Sequence, residues 1–452
     1  MTRVHFIGVG GAGMSAVAHL LHRRGVGVSG SDSADGPYLR ALAGEGIPVT
    51  VGHDPGAIDG ATEVVVSSAI RDANPELAAA RTAGLPVVHR SEALARAVDG
   101  LRVVAVAGAH GKTTTAAMTA RALHGAGIDA TFAIGAPVLG VAGAVGGAYA
   151  GGADVAVIEA DESDGSFLAY QPEVAVVTNV EPDHLDHYGT REAFEEAFHD
   201  FAVRARLVIA CGDDPGSAAL AERLRGEGIE ALTYGGGPEN DVVVGEDEMT
   251  RGGDSFSLRL SQPGWHNRLN AAAAWAGAVA LGANEAQAAE ALASYGGTGR
   301  RFEHRGSADG VDVYDDYAHH PTEITALVGA ARERVGGRLV VLFQPHLYSR
   351  TRLLADRFAE ALTLEDADVV VAGIYAARED PEPGVDGTTI GRLVEPAPGG
   401  TFRVIEDLRE AAEEAARLAR PGGAVLTVGA GSVTEAADWV LTSLREREAG
   451  RA

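Results

Sequence analysis

One lysine stands among 36 arginines in this chain, and the residues around it are of the types that hold phosphate groups. Lys112 lies in Gly108-Ala-His-Gly-Lys-Thr113, directly after the apolar run Val103–Ala107. A strand, a glycine turn, Lys-Thr and a helix form a phosphate cradle, because backbone N–H groups and the helix N-terminus face the anion. Arginine replaces lysine at most surface sites, but its planar guanidinium clashes where a compact ammonium must fit under phosphates. The run therefore predicts a nucleotide site, with a glycine turn carrying a surface lysine as the alternative.

The loop is two residues shorter than the usual phosphate loop, because Val106 occupies the place of the first glycine. Its mechanism is unaffected, since the lysine still reaches the terminal phosphates and a threonine hydroxyl still reaches Mg²⁺. The expected ATP contacts of the loop are Gly108, Gly111, Lys112, Thr113 and Thr114.

Ligands for a metal ion on these phosphates follow two other apolar runs. Glu159 comes directly after Val155–Ile158, and His184 lies in the polar stretch that follows Val174–Thr178. The carboxyl ends of parallel strands share one sheet edge, where α/β proteins form their sites. We expect Glu159 and His184 to ligate the metal or to contact the transition state. Three further acids fit a solvated loop as well as they fit a site: Asp161, Glu162 and Asp164.

A second glycine motif opens the chain. Gly8-Val-Gly-Gly-Ala-Gly13 follows the apolar run Val4–Ile7, and Asp32 comes about twenty residues after the turn. Such a turn brings a pyrophosphate close to a helix N-terminus, and the acid then binds a ribose. The motif by itself first suggests NAD, and a purely structural glycine turn is the other interpretation.

Two later clusters combine polar and aromatic side chains. The stretch Pro263–Asn270 places His266, Asn267 and Asn270 near the start of a helix, where Asn267 could also be a simple cap. The stretches Asp315–Glu323 and Gln344–Arg352 each follow an apolar run directly. Their side chains predict a further site at two strand ends, and zinc is a minority alternative: Tyr317, His319, His320, His346 and Tyr348.

The composition excludes several classes of protein. A net charge of −26 and a pI of about 4.9 leave no basic surface for nucleic acid. Cys211 is the only cysteine, which fits a reducing compartment. The chain starts on a strand pattern with no signal peptide, and the uncharged stretch Ala130–Ala153 is too rich in glycine to predict a membrane span. We therefore expect a cytoplasmic protein that binds neither membranes nor nucleic acid.

The order of apolar runs and helical patterns divides the chain into three α/β blocks, residues 1–98, 99–297 and 298–452. Strands and helices alternate in each block, which predicts parallel sheets covered on both faces. Asp99-Gly100 and Gly296–Gly299 are the expected hinges.

Taken together, these motifs resemble the Mur ligases along nearly the whole chain, and within that family the type that adds L-alanine to UDP-N-acetylmuramate. Besides the runs above, the resemblance rests on stretches spread over all three blocks: His5–Ser15, Gly30–Asp32, Val66–Ile70, Glu159–Asp164, Thr178–His184, Pro263–Asn267, Gly299–Phe302, Asp315–Glu323, Gln344–Thr351 and Tyr375–Glu379.

The resemblance implies a Rossmann-like UDP-binding domain, a central phosphate-loop ATPase domain and a C-terminal Rossmann-like domain that brings the amino acid. It implies an ATP- and Mg²⁺-dependent ligase of peptidoglycan precursor synthesis. The glycine turn would then hold UDP and not NAD, through Gly8, Gly10, Gly11, Ala12, Gly13, Asp32, Ser67 and Ser68. Implied catalytic residues are Lys112, Glu159, His184 and Arg301, with Thr113, Glu159 and His184 on the metal. Further implied ATP contacts are His266, Asn267, Asn270, Arg301 and Asp316, and implied amino-acid contacts are Tyr317, His319, His346 and Arg350.

Some positions depart from the family pattern: Ala109, Ala136 and Leu347. Several other Mur ligases also position Mg²⁺ with a carbamylated lysine, whereas this chain has no lysine besides Lys112. His199 and Asp200 are the expected stand-ins. The base that takes the proton of the amine stays open among His184, His319 and His346, and the oligomeric state stays open too. Rival functions are a muropeptide-recycling or specialised-metabolism ligase, a nicotinamide oxidoreductase and a non-catalytic nucleotide-binding partner.

Overall fold

The structure, a computed structural model, describes residues 3–182, 185–377, 379–395 and 397–450. His184, expected at the metal, lies outside the described residues. The chain forms two compact units. The first runs up to Ser261 and includes Asn267–Thr298, and the second comprises Gln262–His266 and the chain from Gly299 onward.

The first unit begins with a five-stranded parallel sheet in the order β3-β2-β1-β4-β5. Its strands are β1 (Arg3–Ile7), β2 (Gly27–Asp32), β3 (Val49–Val51), β4 (Glu63–Val66) and β5 (Val87–His89). Its helices are α1 (Ala12–Arg23), α2 (Pro37–Gly44), α3 (Pro75–Thr82) and α4 (Arg90–Ala97), with a 3-10 turn at Pro55–Ile58. The strand order reverses beside β1, so the turn after β1 opens at the switch point where α/β folds bind ligands.

A ten-stranded sheet forms the rest of the first unit, in the order β15-β14-β13-β12-β11-β10-β6-β9-β7-β8. Its strands are β6 (Arg102–Ala107), β7 (Thr131–Ala133), β8 (Ala148–Tyr149), β9 (Val155–Glu159), β10 (Val174–Val177), β11 (Leu207–Cys211), β12 (Glu230–Gly235), β13 (Val242–Val244), β14 (Glu248–Arg251) and β15 (Asp254–Ser257). Its helices are α5 (Lys112–Gly125), α6 (Leu185–Tyr188), α7 (Arg191–Ala202), α8 (Pro215–Gly226), α9 (Trp265–Ala280) and α10 (Glu285–Ala293), with a 3-10 turn at Ser166–Ala169. The central strand β6 lies between β9 and β10, parallel to both, so their carboxyl ends share one edge.

The second unit contains a six-stranded sheet in the order β16-β17-β21-β18-β19-β20. Its strands are β16 (Glu303–Ala308), β17 (Val311–Asp316), β18 (Leu339–Phe343), β19 (Ala367–Val371), β20 (Thr401–Val404) and β21 (Ala424–Val428). Its helices are α11 (Pro321–Arg334), α12 (Tyr348–Leu353), α13 (Ala355–Leu362), α14 (Thr388–Gly391), α15 (Leu408–Leu418) and α16 (Val433–Ala449). Apolar side chains form a core on each face of this sheet, which is why the inner strand β18 is apolar at every position.

The α/β class and the predicted strands are confirmed, with shifts of one to three residues at their ends. The antiparallel pairs β13–β14, β14–β15 and β16–β17 were not expected. Helix α9 begins at Trp265, so Asn267 lies inside its first turn and the capping interpretation is wrong. The stretch Ala130–Ala153 holds the short strands β7 and β8 as well as loops, and these two strands were not expected. In the described part of the chain, no helix is both long and apolar enough to cross a membrane.

Candidate active site

The phosphate loop joins β6 to α5 through two glycines whose backbone conformations disfavour L side chains. Gly108 has a φ of 137° and Gly111 a φ of 82°. A Cβ on Gly108 would lie 2.0 Å from Oγ1 of Thr178, and a Cβ on Gly111 would lie 2.7 Å from Oδ1 of Asn270. Among the described residues no side chain caps the start of α5, so its first N–H groups can bind an anion.

The end of β10 holds this loop in shape. Asn179 accepts from the N–H of His110 through Oδ1 at 2.9 Å, and its Nδ2 donates to the His110 carbonyl at 2.9 Å. The Thr178 hydroxyl donates to the same carbonyl at 2.5 Å. These bonds hold the loop in the shape of a cradle. Nucleotide binding then costs less conformational entropy, because the loop does not have to be ordered first.

Lys112 is largely buried, with 14% of its side chain exposed, and its ammonium has three protein partners. Nζ donates to the carbonyls of Gly108 and Ala109 at 2.6 and 3.2 Å, and to Oε1 of Glu162 at 3.0 Å. Burial disfavours the charge, but the carboxylates around it, Glu162 first, outweigh burial and raise the pKa of Lys112. The lysine is therefore a fixed cation at the mouth of the cradle.

Two of the expected metal ligands lie side by side. The Thr113 hydroxyl donates to Oε1 of Glu159 at 2.9 Å, and the N–H of Gly135 donates to Oε2 at 2.6 Å. A Cβ on Gly135 would lie 2.8 Å from that Oε2, so only glycine leaves the carboxylate its place. A hydroxyl and a carboxylate oxygen directly beside a phosphate cradle fit the preference of Mg²⁺ for oxygen ligands.

The glycine turn after β1, where UDP binding was expected, has a tight backbone conformation. Gly8 has a φ of 79°, and the N–H of Gly10 donates to Oδ2 of Asp32 at 2.9 Å. A Cβ on Gly10 would lie 2.9 Å from the same oxygen. Ala12 and Gly13 open α1, whose start has no side-chain cap in the described residues. Ser67 and Ser68 follow the end of β4, on the other side of β1 from Asp32.

Arg90 lies between this turn and the acidic loop that follows β9. No sequence motif marked it as a candidate site residue. Its Nη2 donates to Oδ2 of Asp161 at 2.6 Å, and a Cβ on Gly13 would lie 3.1 Å from its Nη1. Burial would raise the pKa of Asp161, but Arg90 and Lys112 outweigh burial and hold it at about 2. A paired cation therefore stands at the start of α1, where the pyrophosphate is expected.

Helix α9 brings two of the expected ATP contacts to the phosphate loop. Oδ1 of Asn270 accepts from the Thr115 hydroxyl at 3.1 Å and lies beside Gly111. Nδ2 of Asn270 lies 3.5 Å from Oδ1 of Asn267. His266 belongs to the second unit, where its ring lies beside Gly264.

In the second unit a buried carboxylate organises the Arg301 turn. The two oxygens of Asp316 accept from the N–H groups of Phe302 and Ala318, each at 2.7 Å. Arg300 and Phe302 have φ values of 57° and 47°, a costly conformation that places Arg301 between them. Burial raises the pKa of Asp316 to about 6, while Arg301 opposes the shift. Asp316 thus positions the turn through both oxygens.

The expected amino-acid contacts lie together at the ends of β17 and β18. The rings of His319 and His346 are 5.9 Å apart, and the ring of Tyr375 stacks on His346 at 5.8 Å. Nη1 of Arg350 lies 3.5 Å from Nδ1 of His346. Burial, strengthened by the charge of Arg350, lowers the pKa of His319 to about 3. A guanidinium beside the neutral imidazole of His319 suits a carboxylate ligand and disfavours the zinc alternative.

Two residues expected near the metal have other partners. His199 bonds Glu227 through Nε2 at 2.8 Å, and its Nδ1 lies 3.7 Å from Glu196. Asp200 belongs to the same cluster on α7. Glu162 and Arg90 had no role assigned from sequence. The sequence feature that could have identified them is their position one to three residues after the end of a strand. That feature is weak, because many surface residues share it.

Three family models match the chain in sequence order. They are described as "Mur ligase family, catalytic domain" at residues 3–102, "Mur ligase middle domain" at residues 106–278, and "Mur ligase, glutamate ligase domain" at residues 300–431.

Relatives named UDP-N-acetylmuramate–L-alanine ligase match almost end to end. The protein of Kineococcus radiotolerans is 52% identical, over 98% of this chain and 97% of its own. That of Paenarthrobacter aurescens is 51% identical, over 96% and 95%. Among solved structures, the UDP-N-acetylmuramate-alanine ligase of Thermotoga maritima is 29% identical with a TM-score of 0.79, and the match covers 100% of both chains. A murein peptide ligase of Psychrobacter arcticus is 25% identical with a TM-score of 0.72, over 98% and 99%.

Proposed function

The chain belongs to the Mur ligase family, and we propose that it joins L-alanine to the carboxylate of UDP-N-acetylmuramate at the cost of ATP. The observation that carries this proposal is the preformed phosphate loop with its single lysine, in a chain that ligases named for this reaction match from end to end. The product is the first peptide-bearing precursor of peptidoglycan. A cytoplasmic location is part of the proposal.

The reaction has two steps. An oxygen of the muramyl carboxylate attacks the terminal phosphorus of ATP, which gives an acyl phosphate and ADP. The neutral amine of alanine then attacks the acyl carbon, the C–O bond to phosphate breaks, and inorganic phosphate leaves. Because the transferred phosphoryl group spreads negative charge over its oxygens, Lys112 and the N–H groups at the start of α5 stabilise it as it moves.

Mg²⁺ belongs to this proposal as the cofactor, held by Thr113 and Glu159, with His184 as the third protein ligand. When bound, it neutralises charge on the ATP phosphates. Thr113 and Glu159 support the assignment because their oxygens are already 2.9 Å apart, and Gly135 fixes the orientation of the carboxylate.

The UDP-linked substrate takes the glycine turn of the first sheet. Ala12 and Gly13 offer the backbone N–H groups at the start of α1 to the pyrophosphate, and Arg90 adds a cation beside Gly13. Gly8, Gly10 and Gly11 shape the turn, because their own N–H groups are bonded within it and to Ser31 and Asp32. Asp32 keeps the turn in shape through Gly10, and its second oxygen accepts from the N–H of Ala34 at 3.2 Å. Ser67 and Ser68 complete this subsite.

The second unit supplies the amino-acid subsite, in which Arg350 pairs with the carboxylate of alanine and Tyr317, His319 and His346 surround it. His319 is neutral at working pH, since its pKa is about 3, so its imidazole accepts a hydrogen bond from the amine. Arg301 contacts the phosphates. Asp316 acts through the Arg301 turn, and His266, Asn267 and Asn270 contact the nucleoside.

Phosphate release from ATP tests the function, measured with UDP-N-acetylmuramate, with and without L-alanine, on the full chain. We expect sustained release and UDP-N-acetylmuramoyl-L-alanine by mass spectrometry only when all three substrates are present. Turnover with a preformed muropeptide in place of alanine would indicate the recycling ligase. Oxidation of NADH without ATP would indicate an oxidoreductase, and nucleotide binding without turnover would indicate a non-catalytic partner.

A further inference from the structure

The carboxylate of Glu162 pairs with the ammonium of Lys112. Its Oε1 and Oε2 lie 3.0 and 2.9 Å from Nζ, and the Glu162 side chain is 1% exposed. The two loop carbonyls, Gly108 and Ala109, take the remaining N–H groups of the ammonium. An ammonium has three donors, so a terminal phosphate oxygen must replace one of these partners.

Glu162 is the partner with which an incoming phosphate competes most strongly, because it is the only anion of the three. The loop carbonyls belong to the cradle itself and stay when a nucleotide binds. The carboxylate and a phosphate oxygen would both need the same face of Lys112, and two anions that share a buried site repel each other strongly.

The loop that carries Glu162 is held on both sides of this residue, which restrains the backbone from which the carboxylate extends. The Asp161 carboxylate is bonded to Arg90 of α4. The Glu162 carbonyl accepts from the N–H of Gly165 at 3.0 Å and from the hydroxyl of Tyr188 on α6. The groups that face the carboxylate are therefore Lys112 from α5, Asp161 from its own loop and Tyr188 from α6.

We propose that the Glu162 carboxylate lies at the position on Lys112 that the terminal phosphate takes, and that Glu162 takes up one proton from solvent when nucleotide binds. This inference rests on the proposed function, since it uses Lys112 as the phosphate-binding group. The carboxylate becomes a carboxylic acid, no covalent bond to the nucleotide forms or breaks, and the acid can then donate a hydrogen bond to a phosphate oxygen.

The acid–base properties of the group agree with this geometry. Burial, joined by the charge of Asp161, raises the pKa of Glu162 to about 7, although Lys112 opposes the shift. A phosphate next to the carboxylate raises that pKa further. Nucleotide binding is therefore expected to take up a proton above about pH 7. Below about pH 6 Glu162 is already protonated, so nucleotide binding should take up no proton there.

Calorimetry of a non-hydrolysable ATP analogue with Mg²⁺ tests the proposal on the full chain, without the other substrates. Titrations at about pH 8 in two buffers of different ionisation enthalpy count the protons exchanged. We expect wild type to take up close to one proton per nucleotide and Glu162→Gln to take up close to none. Glu162→Gln should bind the ATP analogue about ten-fold more tightly than wild type does at about pH 8. At about pH 6 the two proteins should bind it with equal affinity.

Asp164→Asn is the matched control for loss of a nearby negative charge. Asp164 lies two positions further along the same loop, 3.6 Å from His89, and accepts from the N–H of Ser166. Any gain in its nucleotide affinity should be the same at both pH values, and its proton uptake should equal that of wild type.

The outcomes separate this inference from the proposed function. Absence of nucleotide binding by wild type would remove the phosphate-loop assignment itself. Tight binding by wild type with no proton uptake at about pH 8 would overturn the role of Glu162 and leave the ligase assignment standing. The wild-type proton count decides this even where Glu162→Gln fails to fold, and Glu162→Ala serves as the second variant.

Discussion

At the phosphate loop the shape of a cation matters as much as its charge. Lys112 reaches two loop carbonyls and a buried carboxylate within 3.2 Å, in a space made by glycines that tolerate no Cβ. A guanidinium carries the same charge on a wider, planar group. The same loop places Thr113 against Glu159, so the residues that we propose for the phosphates and for the metal are adjacent in the chain.

We predict that Lys112→Arg lowers ligase turnover by more than ten-fold, a barrier increase of over about 1.4 kcal/mol, while the thermal unfolding midpoint changes little. The physical reason is the width of the guanidinium. Arg121→Lys is the control, because Arg121 lies on the exposed side of the same helix and bonds Ser294. Near-normal turnover of Lys112→Arg would contradict the phosphate-loop assignment.

Glu159→Gln should raise the Mg²⁺ concentration needed for half-maximal activity at least ten-fold, because a neutral amide binds a hard cation weakly. The measurement is a Mg²⁺ titration at saturating ATP. Glu173→Gln is the control, since that carboxylate pairs with Arg102 and Arg206 at the opposite edge of the sheet. An unchanged titration curve for Glu159→Gln would remove it from the metal site.

At the scale of elements, loops and helices connect the subsites of the first unit. The turn after β7 brings the N–H of Gly135 to Glu159, and α4 brings Arg90 to the acidic loop after β9. The first connection needs backbone space that only glycine leaves free, and the second depends on a partly buried charge pair. Substitutions in these elements should therefore alter Mg²⁺ activation or substrate affinity through the neighbouring residues that they position.

Gly135→Ala should weaken Mg²⁺ activation as Glu159→Gln does, because its Cβ would lie 2.8 Å from Oε2 of Glu159. Gly329→Ala is the matched control. Gly329 is exposed inside α11 with nothing within 4 Å of the added Cβ. We expect that variant to keep full activity and to gain about 0.5–1 kcal/mol of unfolding free energy, by chemical denaturation. Normal Mg²⁺ dependence of Gly135→Ala would show that Glu159 does not need this contact.

Arg90→Ala should raise the KM for UDP-N-acetylmuramate about ten-fold or more, since a sheltered cation near the pyrophosphate contributes on the order of 1.4 kcal/mol or more. Arg96→Ala on the same helix removes an exposed pair with Glu63 and should leave this KM unchanged. Steady-state kinetics with each substrate varied provide the test. Equal effects of the two variants would assign Arg90 a purely structural role.

At the scale of the whole molecule, the proposed function assigns the single lysine of the chain to the phosphates. Carbamate formation needs a neutral primary amine, and converting Lys112 would replace its positive charge with a negative one at the nucleotide. His199 and Asp200 are the expected stand-ins for such a group. His199 bonds Glu227, which directly follows α8, and both residues lie near Glu196 on α7.

Ligase activity should therefore be indifferent to carbon dioxide. The measurement compares turnover in degassed, bicarbonate-free buffer with turnover after bicarbonate is added, at matched pH and ionic strength. Activities should agree within error. A reversible loss on removing carbon dioxide, restored by bicarbonate, would mean that Lys112 itself is modified.

The sequence alone determined the features that depend on local order. A strand, a glycine turn and Lys-Thr predict a phosphate cradle because the contacts they make lie within a few residues of one another. The strands β6, β9 and β10 followed from uninterrupted apolar runs, since strands buried on both faces have no polar side. The family followed from motifs spread over the whole chain.

Only the tertiary structure decided which distant side chains meet. Glu162 and Lys112 are fifty positions apart and Arg90 and Asp161 seventy-one, and no local pattern encodes either pair. Asp316 was expected at the nucleoside, yet both its oxygens are taken by N–H groups of its own unit, because a buried carboxylate must satisfy its acceptors. Side-chain type suggests what a residue can do, but burial and neighbouring charges, which depend on the packed fold, set what it does.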